Sequence, residues 1–377
     1  MPLWNEKICT LSDFYRKRFG KKIEIFSVFV SIPTFIGWIA VQLISLAHIM
    51  ELTYGLPINT GIALVAVFAA VYTYLGGMWS VTLTDALQLV FVGVGLIVLF
   101  FSVFGGYDES GAFHGLAKVI SQTDPERLVI VPTKSLPEFF NWIGLFLVAS
   151  IGNIPSQDLA QRIFSAKSVR VAKTSCLIAG VLYLIIGTLP VMLGLLAHQI
   201  LPPEITKSVI PALADRFLAF PLNLIFFLAV VSVILSTIDS AILAPASTLA
   251  RNGLRHLFSE KSVPTILLLH VSVVLITGAS MVTAYIGEDA YSLLQASYGL
   301  GLAGLMLPLS TALFTENPDV TAVGMGMFIG VLLWSPEFFG YEELPYSLLG
   351  FISGFVVFVS IHRLRVGSFP RIRQNST

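Results

Sequence analysis

Apolar residues in this chain come in long runs separated by short polar stretches. Ten runs stand out, at 23–48, 58–75, 79–104, 138–156, 172–198, 220–249, 264–286, 290–313, 320–337 and 345–362. A run of roughly 20 residues is what a helix needs to cross the hydrocarbon of a bilayer. The pattern therefore predicts an all-α polytopic membrane protein with about ten transmembrane helices. Two places break it. "YLGGMWS" carries Gly76-Gly77 between the second and third runs, where a tight hairpin is expected. "VASIGNIPSQDLAQR" puts Gly152, Asn153 and Pro155 inside the fourth, which predicts a helix that unwinds partway. Unwound backbone at membrane depth is tolerated beside a cavity or inside protein, and transporters use such broken helices for binding.

Composition supports the membrane reading. Hydrophobic residues make up 55% of the chain and charged residues 12%, against about 25% charged in a soluble domain. Mean hydropathy is +0.85. The net charge is zero, which gives no reason to invoke nucleic acid, but the distribution is lopsided. With both termini on the cytoplasmic side, the inside segments hold 17 of the 22 basic residues. Only Lys118, Arg127, Lys134, Lys207 and Arg216 fall outside. That is the excess of Lys and Arg expected of cytoplasmic loops. The expected location is the plasma (inner) membrane, crossed many times. Cys9 and Cys176 suggest no disulfide framework. Trp4, Trp142 and Trp334 fall near run ends, as interfacial anchors do.

Two acids, Asp85 and Asp239, stand out within the apolar runs. A charged side chain at the centre of a span costs about 2.5–3.5 kcal/mol on insertion scales. Such a residue faces the bundle interior and marks an ion or solute path, or serves as protonated glue between helices. In "VVSVILSTIDSAILAPASTL", Ser236, Asp239 and Ser240 lie at i, i+3 and i+4 and share one helix face, with Thr237 beside them. A lone hydroxyl in such a helix bonds back to its own i−4 carbonyl. A stripe of hydroxyls with a carboxylate is instead the oxygen-rich set that a hard monovalent cation such as Na⁺ prefers. Coupling to protons through Asp85 or Asp239 stays open beside it. No nucleophile–base pair, phosphate loop or metal-ligand spacing suggests an enzyme, a metal beyond Na⁺ or an organic cofactor. Gln42 and Gln88 read as interhelical hydrogen-bond partners, and Pro245 should kink its helix.

Three ordered motifs carry a family resemblance. "YTYLGGMWSVTLTDALQL", "QDLAQRIFSAKS" and "ILSTIDSAILAPASTLARN" resemble segments of the sodium:solute symporter family. "IGNIPSQ" and the Asp-Ser followed by Ala-Arg-Asn are most similar to its high-affinity choline transporter branch, although Ser156 stands where that branch carries Trp. The resemblance implies a leucine-transporter-type fold with inverted five-helix repeats. It implies Na⁺-coupled symport of a small organic solute, with lipid and solute as partners. Carried over by position, Val233 (carbonyl), Ser236 and Thr237 are the expected sodium ligands. Asp85, Asp239 and Ser240 are the expected second cation or coupling site. Trp38 and Asn153 are the expected solute pocket, and Gln157, Gln161 and Arg162 the inside gate.

The same alignment divides the chain into a cytoplasmic loop (1–22), the last three helices of the first repeat (23–104) and an extracytoplasmic loop (105–137). A complete second repeat (138–313), two more helices (314–362) and a basic cytoplasmic tail (363–377) follow. It implies that the fold lacks its first three helices, with transport impaired. The alternative is a non-transporting fragment, or a membrane sensor or scaffold subunit derived from such a transporter.

Overall fold

In a computed structural model, the residues described are 8–105, 116, 120, 121, 123–199, 201, 202, 209–258, 263–287, 290–341 and 344–371, without the side chains of 77–81 and 196. Trp4, Lys7, Lys118, Lys207, Lys261, Arg373 and part of the 105–137 loop lie outside them. The α-helices are α1 (Leu11–Phe19), α2 (Lys21–Tyr54), α3 (Ile58–Phe104), α4 (Leu136–Ile151), α5 (Gln157–Ser165), α6 (Val169–Ala197), α7 (Val209–Phe217), α8 (Leu222–Thr248), α9 (Thr265–Ile286), α10 (Ala290–Phe314), α11 (Val320–Phe338) and α12 (Tyr346–Val366). Side-chain caps start several of them. Thr10 and Asp13 form a reciprocal capping box on α1, Ser135 caps α4 through Glu138 N, and Asp319 caps α11 through Ala322 N.

Nine helical segments among the described residues are long and apolar enough to cross a membrane. The fourth run, 138–156, is the one not covered by a single helix of that length. α4 has 16 residues and stops at Gly152, where the helix breaks until α5 resumes at Gln157. The expected unwinding is therefore present. Gly152 is required there, because a Cβ would stand 2.8 Å from the carbonyl oxygen of Tyr298 and closer still to that of Val148.

At Gly76-Gly77, where a tight hairpin is expected, the backbone is helical throughout, from Ile58 to Phe104, 47 residues. Straight, that helix would be about 70 Å long, more than twice a bilayer core of ~30 Å. Its contacts show that it is not straight. Asp85 meets Ser236, Gln88 meets Ser232, and Gly95 meets Phe226, so this arm runs antiparallel to α8. Thr73 meets Asp239, one turn from Ser236. Thr73 and Asp85 are separated by about 18 Å on a straight helix, yet both reach one turn of α8. The chain therefore doubles back between them, giving the two arms Ile58–Gly76 and Thr82–Phe104.

Asp85 and Asp239, the two acids that stand out in the sequence, have company within helices of spanning length: Glu24 lies in the first turn of α2, and Glu337 near the end of α11. One further expectation needs correction. Trp334 is not an interfacial anchor but 7% exposed and packed on Phe338. Its place near a run's end hid the fact that the end is covered by protein.

The chain divides into two compact units. The first comprises residues 1–43, 131–166 and 240–377. Its core gathers Phe14, Tyr15, Phe19, Leu305, Met327 and Phe358 from α1, α10, α11 and α12. Tyr15 is 1% exposed and donates to the Leu305 carbonyl, and burial pushes its phenol pKa up, keeping it neutral. Arg18 donates to the carbonyls of Ala312, Thr315 and Glu316, the orphan acceptors at the end of α10. Lipid gives helices no hydrophobic reason to associate, so close backbone approach through small residues must hold them. Gly330 packs on Ala303 and Gly350, and Gly354 on Gly326, joining α10, α11 and α12.

The second unit comprises residues 44–130 and 167–239. Leu99, Phe104, Leu193, Leu213 and Phe226 form its core. On α6, Leu177 and Leu184 are 73% and 72% exposed, a surface that suits acyl chains rather than water. The α-helix of α8 continues past Pro245 to Thr248, and a π-turn (Leu249–Gly253) and a short 3₁₀ turn (Leu254–His256) end it.

Candidate functional site

The polar face of α8 is built from alternative uses of its hydroxyls. Thr237 Oγ1 donates to the Val233 carbonyl at 2.9 Å, the ordinary back-bond within one helix. Ser236, one position earlier and about 100° away around the helix, donates across to Asp85 Oδ1. Asp239 is 0% exposed and accepts from Thr73 Oγ1 through Oδ1. Its other oxygen, Oδ2, is buried with no hydrogen-bond partner. Within the second unit, one turn of α8 thus meets both arms of α3. It brings together two carboxylates and two hydroxyls: Asp85, Asp239, Ser236 and Thr73.

An unsatisfied buried polar group costs about 1–3 kcal/mol, more if charged. An orphan carboxylate oxygen beside a second carboxylate and two hydroxyls is therefore a place where a cation lowers the free energy. Carboxylate and hydroxyl oxygens are hard ligands suited to Na⁺-like ions and not to soft metals. Gln88 does make the interhelical bond expected of it, to Ser232 Oγ at 2.7 Å.

Ser240, the remaining residue expected with Asp85 and Asp239, has its own partner. It lies in the first unit, and its Oγ accepts from Arg162 Nη2 at 3.0 Å. Arg162 also pairs with Asp158 at 3.7 Å. Gln161 donates to Ser247 Oγ at 2.7 Å. Gln157, 2% exposed, accepts from Leu11 N at 2.7 Å and donates to the Cys9 carbonyl at 3.4 Å. The three expected gate residues therefore tie α5 to the end of α8 and to the start of α1.

A polar cluster adjoining them went unread in the sequence. Glu24, 0% exposed, receives Asn252 Nδ2 at 2.8 Å and lies 3.2 Å from His256 Nε2 and 3.6 Å from Arg16. Asn252 also donates to Asp13 Oδ1 and accepts from Thr10 Oγ1, while Arg251 Nε reaches Asp13 Oδ2 at 2.7 Å. The π-turn after α8 is what carries Asn252 to these partners. The signal available in the sequence was Glu24 at the head of an apolar run. Thr73 offered only a hydroxyl in another run.

Of the expected solute residues, Trp38 has an aromatic neighbour on α10. The Trp38 and Tyr298 rings are 6.2 Å apart, and Phe35 packs tilted against Trp38 at 5.8 Å. Asn153 lies in the break after α4, whose Gly152 packs on the Tyr298 and Gly301 backbone. Trp38 and the break that holds Asn153 thus approach the same turn of α10.

A broken helix and a buried oxygen cluster on an all-helical bundle define an integral, multi-pass membrane protein of transporter architecture. The family model for the sodium:solute symporter family matches residues 2–306, and the chain belongs to that family. It is 26% identical over 357 residues to the high-affinity choline transporter 1 of Caenorhabditis elegans, covering 87% of this chain and 59% of that protein. It is also 26% identical to the sodium/glucose cotransporter of Vibrio parahaemolyticus, over 92% of this chain and 69% of that protein. The fold resembles that of a Na⁺-coupled sialic acid symporter solved in a substrate-bound, outward-open state. The TM-score is 0.76 at 17% identity, covering 100% of this chain and 80% of that one. That likeness establishes a leucine-transporter-type fold.

Proposed function

We propose that this chain takes part in Na⁺-coupled symport of a small organic solute across the plasma (inner) membrane, with both termini cytoplasmic. The observation that carries the reading is the buried Asp239 oxygen without a partner, beside Thr73 and the Asp85–Ser236 pair. In this reading Asp85, Asp239 and Ser236 hold one cation. The Val233 carbonyl, Ser236 and Thr237 serve the main sodium site once Thr237 gives up its back-bond. Arg162, whose Nη2 holds Ser240 in this structure, serves the inside gate together with Gln157 and Gln161. Trp38, Tyr298 and Asn153 line the solute path. An aromatic face is suited to an organic cation such as choline, and to the flat side of a sugar.

The test is uptake into proteoliposomes under an inward Na⁺ gradient, offering choline, glucose, pantothenate and sialic acid in turn. Wild type should accumulate one of them only with Na⁺ present, and Ser236→Ala/Thr237→Ala should lose that dependence. Undiminished Na⁺ dependence in the double variant would remove these residues from the sodium site. Accumulation that ignores Na⁺ and collapses with an uncoupler would replace sodium by the proton.

A further inference from the structure

A large cavity in the second unit lies apart from the oxygen cluster. It holds about 820 Å³, toward the upper end of ligand pockets. Its walls come from the end of α2, the first arm of α3, the end of α7 and the first half of α8. Its polar groups gather at one end: Thr53 near the end of α2, Asp215 near the end of α7 and Asn223 at the start of α8. Asn223 Oδ1 accepts from Leu224 N at 2.7 Å, so the N–H groups of its amide are what it offers to a ligand. Below this end the lining is aliphatic and aromatic, and Phe68 and Leu228 on the walls are more than half exposed. Val71 and Leu235 form the floor. On α8, the stretch from Asn223 to Leu235 is about 18 Å long. One leaflet is half of a hydrocarbon core ~30 Å thick. The cavity is thus about one leaflet deep, polar where the spans end and apolar below.

We propose that this cavity seats an acyl chain of a bilayer lipid whose headgroup carries an ammonium. The Asp215 carboxylate accepts from the ammonium and repels a headgroup of net negative charge. Thr53 and Asn223 offer a hydroxyl and an amide to the ester and phosphate oxygens. The chain fills the space down to Val71 and Leu235, restoring the dispersion contacts that an unfilled apolar cavity forgoes. Acyl chains are as apolar as these walls, so shape sets where the chain lies and the headgroup sets which lipid is held. Val71 is two residues from Thr73, and Leu235 is one turn from Asp239. The occupant therefore braces the first arm of α3 against α8 next to the Thr73–Asp239 bond.

The probe is phosphatidylethanolamine with a photoactivatable diazirine in one acyl chain, a few per disc, with the full chain in nanodiscs of phosphatidylglycerol. Irradiation should cross-link it saturably to residues 64–71 and 224–235 of wild type. The same diazirine chain on phosphatidylglycerol should label those segments about five-fold less. Asp215→Asn should bring the two headgroups level. Val231→Trp, which places a large ring in the middle of the cavity, should reduce labelling of both segments by either lipid. If Val231→Trp does not fold, the headgroup comparison and Asp215→Asn decide. Ser236→Ala should be labelled as wild type is, so that failure of the cation site and of this one are separable. Equal labelling of wild type by the two headgroups would make the lipid an unselected neighbour and overturn the proposal. So would labelling confined to other segments. A Val231→Trp chain that loses a dimer and keeps its lipid would overturn it too, making a second copy the occupant.

Discussion

Replacing Asp239 by Asn separates a cation ligand from a structural carboxyl, because the two roles predict opposite signs for stability. Asp239 is fully buried, with one oxygen on Thr73 and the other without a partner. If it is kept for a cation, the empty site is strained, and Asn removes a buried charge while retaining the Oδ1 acceptor for Thr73. Na⁺-free stability should then stay level or rise, by about 1–3 kcal/mol if the orphan oxygen's cost is relieved. The Na⁺ response should fall. A ligand at 100 times its Kd stabilises a protein by about 2.7 kcal/mol, and losing a hydrogen-bond-strength contact to a charge, about 1.5–3 kcal/mol, removes most of that. The assay is thermal unfolding in nanodiscs, followed by tryptophan fluorescence in NaCl and in KCl. If Asp239→Asn unfolds earlier than wild type in KCl yet keeps the full rise in Tm on adding NaCl, the acid is interhelical glue and the reasoning fails.

Three further outcomes follow from the packing. Gly152→Ala places a methyl against the Val148 and Tyr298 carbonyls, and should cost about 1–3 kcal/mol or distort the break, read as lower Tm together with lost uptake. Asn252→Ala strips a buried donor from Glu24 and Asp13, and should destabilise by about 1–3 kcal/mol; a Tm equal to wild type would mean that water replaces it. Gln157→Ala frees the Leu11 N–H and the Cys9 carbonyl, and should increase hydrogen exchange at residues 9–12 while the α10–α12 helices stay protected.

The membrane architecture was legible because runs of apolar residues and basic loops report directly on lipid and its two faces. The break at Gly152–Pro155 was legible because two residues that oppose helix stand together in an apolar run. Asp239 announced itself by the cost of placing an acid there. Which hydroxyl of α8 bonds back and which reaches across was not legible, since Ser236 and Thr237 differ only by a rotation that the position of α3 converts into function. Thr73 looked like any back-bonding threonine. Glu24 was hidden because its partner Asn252 is 228 residues away and is delivered by a π-turn that no local pattern announces. The fold-back of α3 was expected at Gly76-Gly77 as a tight hairpin, and the backbone that makes it is helical.

The most direct test of the cation reading is equilibrium binding of ²²Na⁺ to the purified chain, comparing wild type with Asp85→Asn, Asp239→Asn and the double variant. The oxygen cluster predicts saturable binding by wild type, weakened at least about ten-fold in each single variant and absent in the double. Wild-type binding that survives in the double variant would show that sodium, if it is held, is held elsewhere.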